Sequence, residues 1–158
     1  MRENGAVSNV LATIALVIML VVGIIGFITI TNTRTKPVLE ISGVSLSSNQ
    51  ITTNSSATLS FTVKNNDETK PHDVTAEFDT TSSVLFYLNN EKLPSGNDGF
   101  QYYPMRLQSS EKSTYSFKVT GTLAGGAQSS TYLIRLFFLD ENGTKFDTET
   151  QSLTVNNP

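Results

Sequence analysis

The sequence predicts an all-β domain carried on a single N-terminal transmembrane α-helix. The first observation is one long uncharged apolar stretch, Val10–Ile30, near the start of the 158-residue chain. The second is a series of alternating apolar and polar residues after Pro37, with turn-forming residues between them at intervals of roughly 8 to 15 positions. The third is that no helical periodicity of apolar residues follows Pro37, so the remaining chain is expected to form strands and turns.

The apolar stretch is long enough to cross a bilayer. As a helix it would span about 32 Å, which matches the hydrocarbon core. It is longer than the apolar part of a secretory signal peptide and no small-residue cleavage site follows it, so we expect the helix to be retained. The sequence therefore predicts a leader-like polar segment (1–5), a membrane helix (6–31), a short stalk (32–37) and a β domain (38–158).

The charges beside the helix and the composition of the domain disagree about orientation. Arg34 and Lys36 follow the helix, whereas Arg2 precedes it beside Glu3, and the positive-inside rule alone would place the domain in the cytoplasm. The Ser, Thr and Asn content and two N-glycosylation acceptor triplets, at Asn54 and Asn142, favour the outside. We expect an external domain on a single-pass anchor.

Four segments in the first half of the domain have strand patterns. Val38–Leu46 contains five apolar residues, and Gly43 within it is expected to form a bulge or a bend. Ala57–Lys64 and Asp73–Asp79 alternate, which predicts strands with one buried face, and Val84–Leu88 is a short apolar strand.

The segment 89–104 is the least regular part of the domain, because it combines prolines and glycines with Asn and Asp. It contains three aromatic residues close together, Phe100, Tyr102 and Tyr103. On an irregular loop these side chains either form a contact patch for a partner or fold back to close one end of the sandwich. The second interpretation is favoured, and all three stay candidate partner contacts.

The second half of the domain has the strongest strand patterns. Lys112–Thr122 alternates, and a glycine-containing loop follows. Thr131–Leu139 is largely apolar on both faces, which are Tyr132, Ile134, Leu136 and Phe138 on one side and Leu133, Arg135, Phe137 and Leu139 on the other. That strand is expected to be central in its sheet, or to present its second face, with Leu133, Phe137 and Leu139, to a partner or to a second copy of the chain.

The Asn142-Gly143 pair predicts a type I′ turn that returns Phe146–Val155 antiparallel to the preceding strand. About seven strands result, which predicts an immunoglobulin-like antiparallel β-sandwich.

The composition excludes several classes of chemistry. There is no cysteine, and His72 is the only histidine, expected as a solvated turn residue, so the sequence predicts no catalytic site, metal site or cofactor. The formal net charge is -3 and the basic residues are scattered, which argues against binding to nucleic acid. A non-enzymatic binding or structural role is expected.

The stretch Gly5–Thr13, with the sequence GAVSNVLAT, runs directly into the apolar helix. It resembles the N-terminus of archaeal type IV pilin-like proteins, a family that includes adhesive pilins, archaellins and the archaellum accessory (stator) proteins F and G. The resemblance implies a possible leader cleavage between Gly5 and Ala6. Members with a cleavable leader usually have Lys or Arg immediately before the Gly or one position earlier, where this chain has Asn4 and Glu3. That departure favours an accessory protein.

Three functions follow as expectations. The resemblance implies a membrane-anchored accessory protein of an archaeal surface filament machine, most similar to archaellum protein F, whose sandwich contacts the surface layer or a sister accessory protein and braces a rotating filament. The alternative is a filament-forming pilin processed after Gly5, which would contact other filament subunits. The third is a membrane-tethered domain that binds carbohydrate or another solute through Phe100, Tyr102 and Tyr103.

Overall fold

Ten β-strands in two sheets form the regular structure of residues 36–158, which are the residues that the computed structural model describes. This part of the chain contains no helix with the length and apolar character needed to cross a bilayer. The predicted leader, the helix 6–31 and most of the stalk lie outside the described residues, as do Gly5 and Ala6. The strands are β1 Leu39–Leu46, β2 Gln50–Thr52, β3 Ala57–Asn65, β4 His72–Asp79, β5 Val84–Leu88, β6 Glu91–Lys92, β7 Gln101–Leu107, β8 Lys112–Gly121, β9 Ser129–Leu139 and β10 Lys145–Asn156.

Each sheet has five strands. The first sheet has the order β1-β3-β8-β5-β6, and the second has the order β2-β10-β9-β4-β7. All strand pairs are antiparallel except β2 with β10, which is parallel. The predicted all-β sandwich is confirmed, and so is the central place of β9 in its sheet.

The core lies between the two sheets and is built largely from phenylalanine. Phe61 of β3 meets Phe138 of β9 with ring centroids 5.0 Å apart, and Phe78 of β4 meets Phe117 of β8 at 5.2 Å. All four side chains are fully buried and come from positions where the sequence alternates. The edge-to-face geometry adds to the apolar burial, so the core closes without a disulfide.

The region 89–104 is more regular than predicted. Its second part begins β7, which pairs with β4 over seven residues, including Thr75 opposite Pro104. Proline is tolerated there because β7 is an edge strand. The loop 93–100 covers part of the same edge, since the Tyr102 N–H donates a hydrogen bond to the Pro94 carbonyl at 3.0 Å. The two short strands β2 and β6 were also not predicted.

The predicted type I′ turn at Asn142-Gly143 is wrong, although the antiparallel pairing of β9 with β10 is confirmed. Type I′ needs positive φ at both central residues, and Asn142 does not have it. The Asp140 carboxylate instead accepts the N–H groups of Asn142 and Thr144 at 2.9 and 2.8 Å, and Gly143 follows with φ +74°. The residues with the φ signs of a type I′ turn are Asn89 and Asn90, at +52° and +67°, between β5 and β6.

The domain has two distinct ends. Residues 37–39 enter beside the β9–β10 turn, where they line a cleft with Asp140, Glu141 and Phe146. The chain leaves at the opposite end, where the Asn157 N–H donates to the Gln128 carbonyl at 2.9 Å. At that end the Tyr132 hydroxyl donates to the Thr122 carbonyl at 2.7 Å, which ties the start of β9 to the end of β8.

Two buried side-chain amides, those of Asn65 and Gln101, form hydrogen bonds with backbone groups in place of another backbone segment. Asn65 donates to the carbonyls of Lys70 and Gln108 at 2.8 and 2.9 Å, so it joins the loop after β3 to the loop after β7. Gln101 of the second sheet bonds to the backbone of β5 in the first sheet. Both side chains are therefore satisfied, as buried polar groups must be.

Candidate interaction surface

The outer side of the second sheet brings together predicted contact residues from two distant parts of the sequence. Phe100, just before β7, lies 6.4 Å from Phe137 of β9 between ring centroids. Tyr102 and Leu139 lie on the same side of the sheet and line one cleft of about 330 Å³. We call this surface the docking face and define it by Phe100, Tyr102, Leu133, Phe137 and Leu139.

The strand register explains why these side chains share one side. In β9 the alternate residues Ile134, Leu136 and Phe138 are fully buried, so Leu133, Phe137 and Leu139 point outward. Leu133 is 61% exposed, more than any other large apolar side chain in residues 36–158. The two-sided apolar pattern of Thr131–Leu139 thus supplies both the core and an outer apolar surface.

Tyr103 lies apart from the docking face. It points inward, where its ring meets the rings of Tyr115 and Phe117 at 5.6 and 5.1 Å. The two interpretations of the aromatic cluster therefore apply to different residues: Tyr103 helps to close the sandwich, whereas Phe100 and Tyr102 are on the outer surface. The alternation of side chains along β7 separates them. This strand was not predicted, because Pro104 lies within it.

Charged residues of β4 run through the docking face. Arg106 of β7 binds both oxygens of Asp73 at 3.1 and 3.0 Å, and Arg135 of β9 binds Asp79 at 2.9 Å. Glu77 lies between these two aspartates on the same side of β4, directly opposite Phe137 on one side and Tyr102 on the other. Within residues 36–158 no cation lies at ion-pair distance from Glu77.

Tyr102 is fixed by the loop that precedes β7. Its hydroxyl donates a short hydrogen bond to the Asp98 carboxylate. That bond, with burial and the negative charges of Asp98 and Glu77, raises the pKa of Tyr102 to about 12, and it lowers the pKa of Asp98. A Cβ at Gly96 would lie 2.7 Å from the Tyr102 ring, so the loop can pass under the ring only with glycine there.

A second cleft, of about 360 Å³, lies beside residues 37–39 and contains His72. The prediction of a solvated turn residue is wrong for this histidine, because it begins β4 and its side chain is only 17% exposed. Its Nε2 lies 3.2 Å from Asp67 and its Nδ1 3.5 Å from Glu141, so it lies between two loops. No group of three or more His, Asp or Glu side chains in residues 36–158 is placed to hold a metal ion.

Both predicted glycosylation residues are exposed on turns. Asn54 lies between β2 and β3, at the end where the chain leaves the domain, and Asn142 lies in the β9–β10 turn at the other end. Each side chain is accessible to a modifying enzyme.

No family model matches the chain, and no curated protein matches it. Among solved structures, the alkylpurine DNA glycosylase AlkC of Pseudomonas fluorescens gives a TM-score of 0.47 at 9% identity, over 75% of this chain and 30% of that chain. A β-glucosidase from Listeria innocua gives 0.45 at 14% identity, over 74% and 16%. BcpA, the major pilin subunit of Bacillus cereus, gives 0.38 at 8% identity, over 75% and 40%. This chain thus spans less than half of each of these proteins, and likenesses this weak carry no conclusion about its function.

Proposed function

We propose that this chain is a non-enzymatic, membrane-anchored accessory protein of an archaeal surface filament machine. The helix 6–31 holds it in the membrane with the β domain outside the cell, and the docking face binds the surface layer or a sister accessory protein. The stretch Gly5–Thr13 and the two-sheet domain support this proposal together, since the family it resembles commonly joins such a helix to an immunoglobulin-like domain.

The finer part of the fold proposal is that the sandwich is immunoglobulin-like. The order β1-β3-β8-β5 corresponds to the strand order A-B-E-D of that fold, and β10-β9-β4 corresponds to G-F-C. The hydrogen bond from the Tyr132 hydroxyl to the Thr122 carbonyl supports the same proposal, because it corresponds to the tyrosine corner at the start of strand F.

The observation that carries the binding proposal is the outward apolar surface of β9. Leu133 and Phe137 contribute nothing to the space between the sheets, which Ile134, Leu136 and Phe138 already fill. Apolar side chains grouped on an outer sheet face are typical of protein interaction sites.

The test is co-isolation from native membranes after chemical crosslinking, with the full chain carrying Leu133→Ser and Phe137→Ala together. We expect this double variant to lose the surface-layer or sister accessory protein that the unchanged chain retains. Leu85→Ser is the matched control, because Leu85 lies opposite Thr120 on the outer side of the first sheet. Retention of the partner by the double variant would remove the docking face from the proposal.

The same N-terminal stretch supports a second candidate function, that of a filament-forming pilin. The intact mass of the protein from its native membrane separates the two. A chain that begins at Ala6 would favour the filament subunit, whereas a chain that keeps residues 2–5 would stay anchored and favour the accessory protein.

A further inference from the structure

The docking face contains a carboxylate between two aromatic side chains. Glu77 of β4 pairs with Phe137 of β9 on one side and with Tyr102 of β7 on the other, so the three residues form one row across three strands. All three side chains are half-buried and on the outer side of the sheet. The row is therefore both negatively charged and aromatic.

The neighbouring carboxylates show what is missing from this row. Asp73, four residues before Glu77, is bound by Arg106, and Asp79, two residues after it, is bound by Arg135. In the described part of the chain, Glu77 is the outward carboxylate of β4 that has no such cation. The positions where the neighbouring strands would supply an arginine hold Phe137 and Tyr102 instead.

One ring of the row already binds an ammonium group. Lys145 Nζ lies 3.5 Å from the centroid of the Phe137 ring. Lys145 comes from β10, which lies on the opposite side of β9 from Glu77. Aromatic faces attract cations in this way, and a desolvated site strengthens the attraction.

We propose that the docking face receives a lysine or arginine side chain of its partner, which displaces the exposed Lys145 side chain from the Phe137 ring. Its cationic group then lies against the Glu77 carboxylate and its stem against Phe137 and Tyr102. This inference rests on the proposed function and adds the chemistry of the partner. The hydrogen-bonded Asp98 carboxylate beside Tyr102 adds further negative charge next to the site.

An organic cation fits this row better than a metal ion. Calcium binds six to eight oxygen ligands, and one carboxylate between two rings offers few of them. A lysine or arginine side chain instead carries an apolar stem below its charge, which can pack on aromatic rings while the head meets the carboxylate.

The first experiment measures binding of a defined probe to the full chain in detergent. The probe is N-acetyl-arginine amide, followed through the aromatic NMR signals of Phe137 and Tyr102. N-acetyl-citrulline amide, which is neutral and has a similar shape, is the control probe. We expect only the arginine probe to shift both signals, and Glu77→Gln to weaken its binding about fivefold. Glu91→Gln, which neutralises an exposed carboxylate of β6, should leave binding unchanged.

Equal shifts from the two probes, or unchanged binding of the arginine probe to Glu77→Gln, would overturn the inference. Co-isolation from native membranes then separates it from the proposed function. If Glu77→Gln and the Leu133/Phe137 double variant each lose the partner, the result supports the cation site and the proposed function. Loss in the double variant alone overturns the cation site and leaves the proposed function standing. Retention in the double variant removes the docking face from the proposed function, and the cation site with it.

Discussion

The side-chain amide of Gln101 binds Phe86 as a neighbouring strand would. Its Oε1 accepts the Phe86 N–H at 3.0 Å, and its Nε2 donates to the Val84 carbonyl at 3.1 Å. Gln101 belongs to β7 of the second sheet, whereas Phe86 and Val84 belong to β5 of the first. This one buried side chain therefore joins the two sheets by hydrogen bonds across their edges.

Replacing Gln101 with leucine is expected to destabilise the domain. The substitution leaves the Phe86 N–H and the Val84 carbonyl buried without partners, which costs about 2 to 4 kcal/mol of unfolding free energy. Urea unfolding of the full chain in detergent measures the change. Gln128→Leu, in the exposed loop after β8, is the control and should change stability little; an equal loss in both variants would contradict the special role of Gln101.

Gly121→Ala should also be destabilising, because the new methyl group would overlap the Cγ2 of Val155. Both residues are buried, so the strands must shift, at a cost of about 1 to 3 kcal/mol. Gly125→Ala is the matched control, since no atom lies within 4 Å of its added Cβ. Adding Val155→Ala to Gly121→Ala removes the overlapping atoms and should produce a smaller loss than the sum of the two single changes; simple additivity would show that the overlap does not matter.

Tyr102 and Tyr103 should respond differently to truncation. Tyr103→Ala removes a ring that packs on Tyr115 and Phe117 inside the sandwich, so we expect a loss of about 2 to 4 kcal/mol. Tyr102→Ala removes an outward ring and should cost less than about 1 kcal/mol while weakening partner binding. Thermal unfolding and co-isolation measure the two effects, and a larger stability loss for Tyr102 would contradict the assignment of their directions.

Acid should remove a contribution to stability made by Asp67. Hydrogen bonds from the Thr69 hydroxyl and N–H, and then from His72, lower the pKa of Asp67 below its usual value of 3.8. The pKa of Asp67 is lower in the folded state than in the unfolded state. Its contribution to the unfolding free energy is therefore complete at pH values above the unfolded-state pKa, and it is lost as the pH falls toward the folded-state pKa.

Asp67→Ala should therefore lower the unfolding free energy at about pH 5 and differ less from the unchanged chain at about pH 2. Urea unfolding at both values measures this difference. Glu68→Ala removes the neighbouring exposed carboxylate and serves as control. A constant difference between Asp67→Ala and the unchanged chain at both pH values would show that the hydrogen-bonded carboxylate is not the cause.

Alternation of apolar residues was sufficient to predict the strands that supply the core. In segments such as Ala57–Lys64 and Thr131–Leu139 every second side chain is buried in the core, so apolar residues recur at every second position of the sequence. The short strands β2 and β6 leave none, because strands of three and two residues are too short for alternation to show, even though Ile51 of β2 is buried in the core. Pro104 concealed β7, since a proline excludes a central strand but not an edge strand.

The docking face was predictable only as two separate groups of residues. The apolar outer side of Thr131–Leu139 was evident, and so was the aromatic cluster near Phe100, but their meeting depends on β4 lying between β9 and β7. That order is a long-range property of the sheet. Glu77 was missed for the same reason, because a single acidic residue in an alternating strand has nothing unusual about it until its neighbours are known.

The opposite placement of the two ends of the domain determines how it would resist mechanical force. A pull on residue 37 against a load at the far end acts along the strands. The β1–β3 and β2–β10 hydrogen bonds would then be loaded together in shear and not opened one after another. A sandwich whose ends are placed in this way passes tension from one end to the other through strands that are paired along their length.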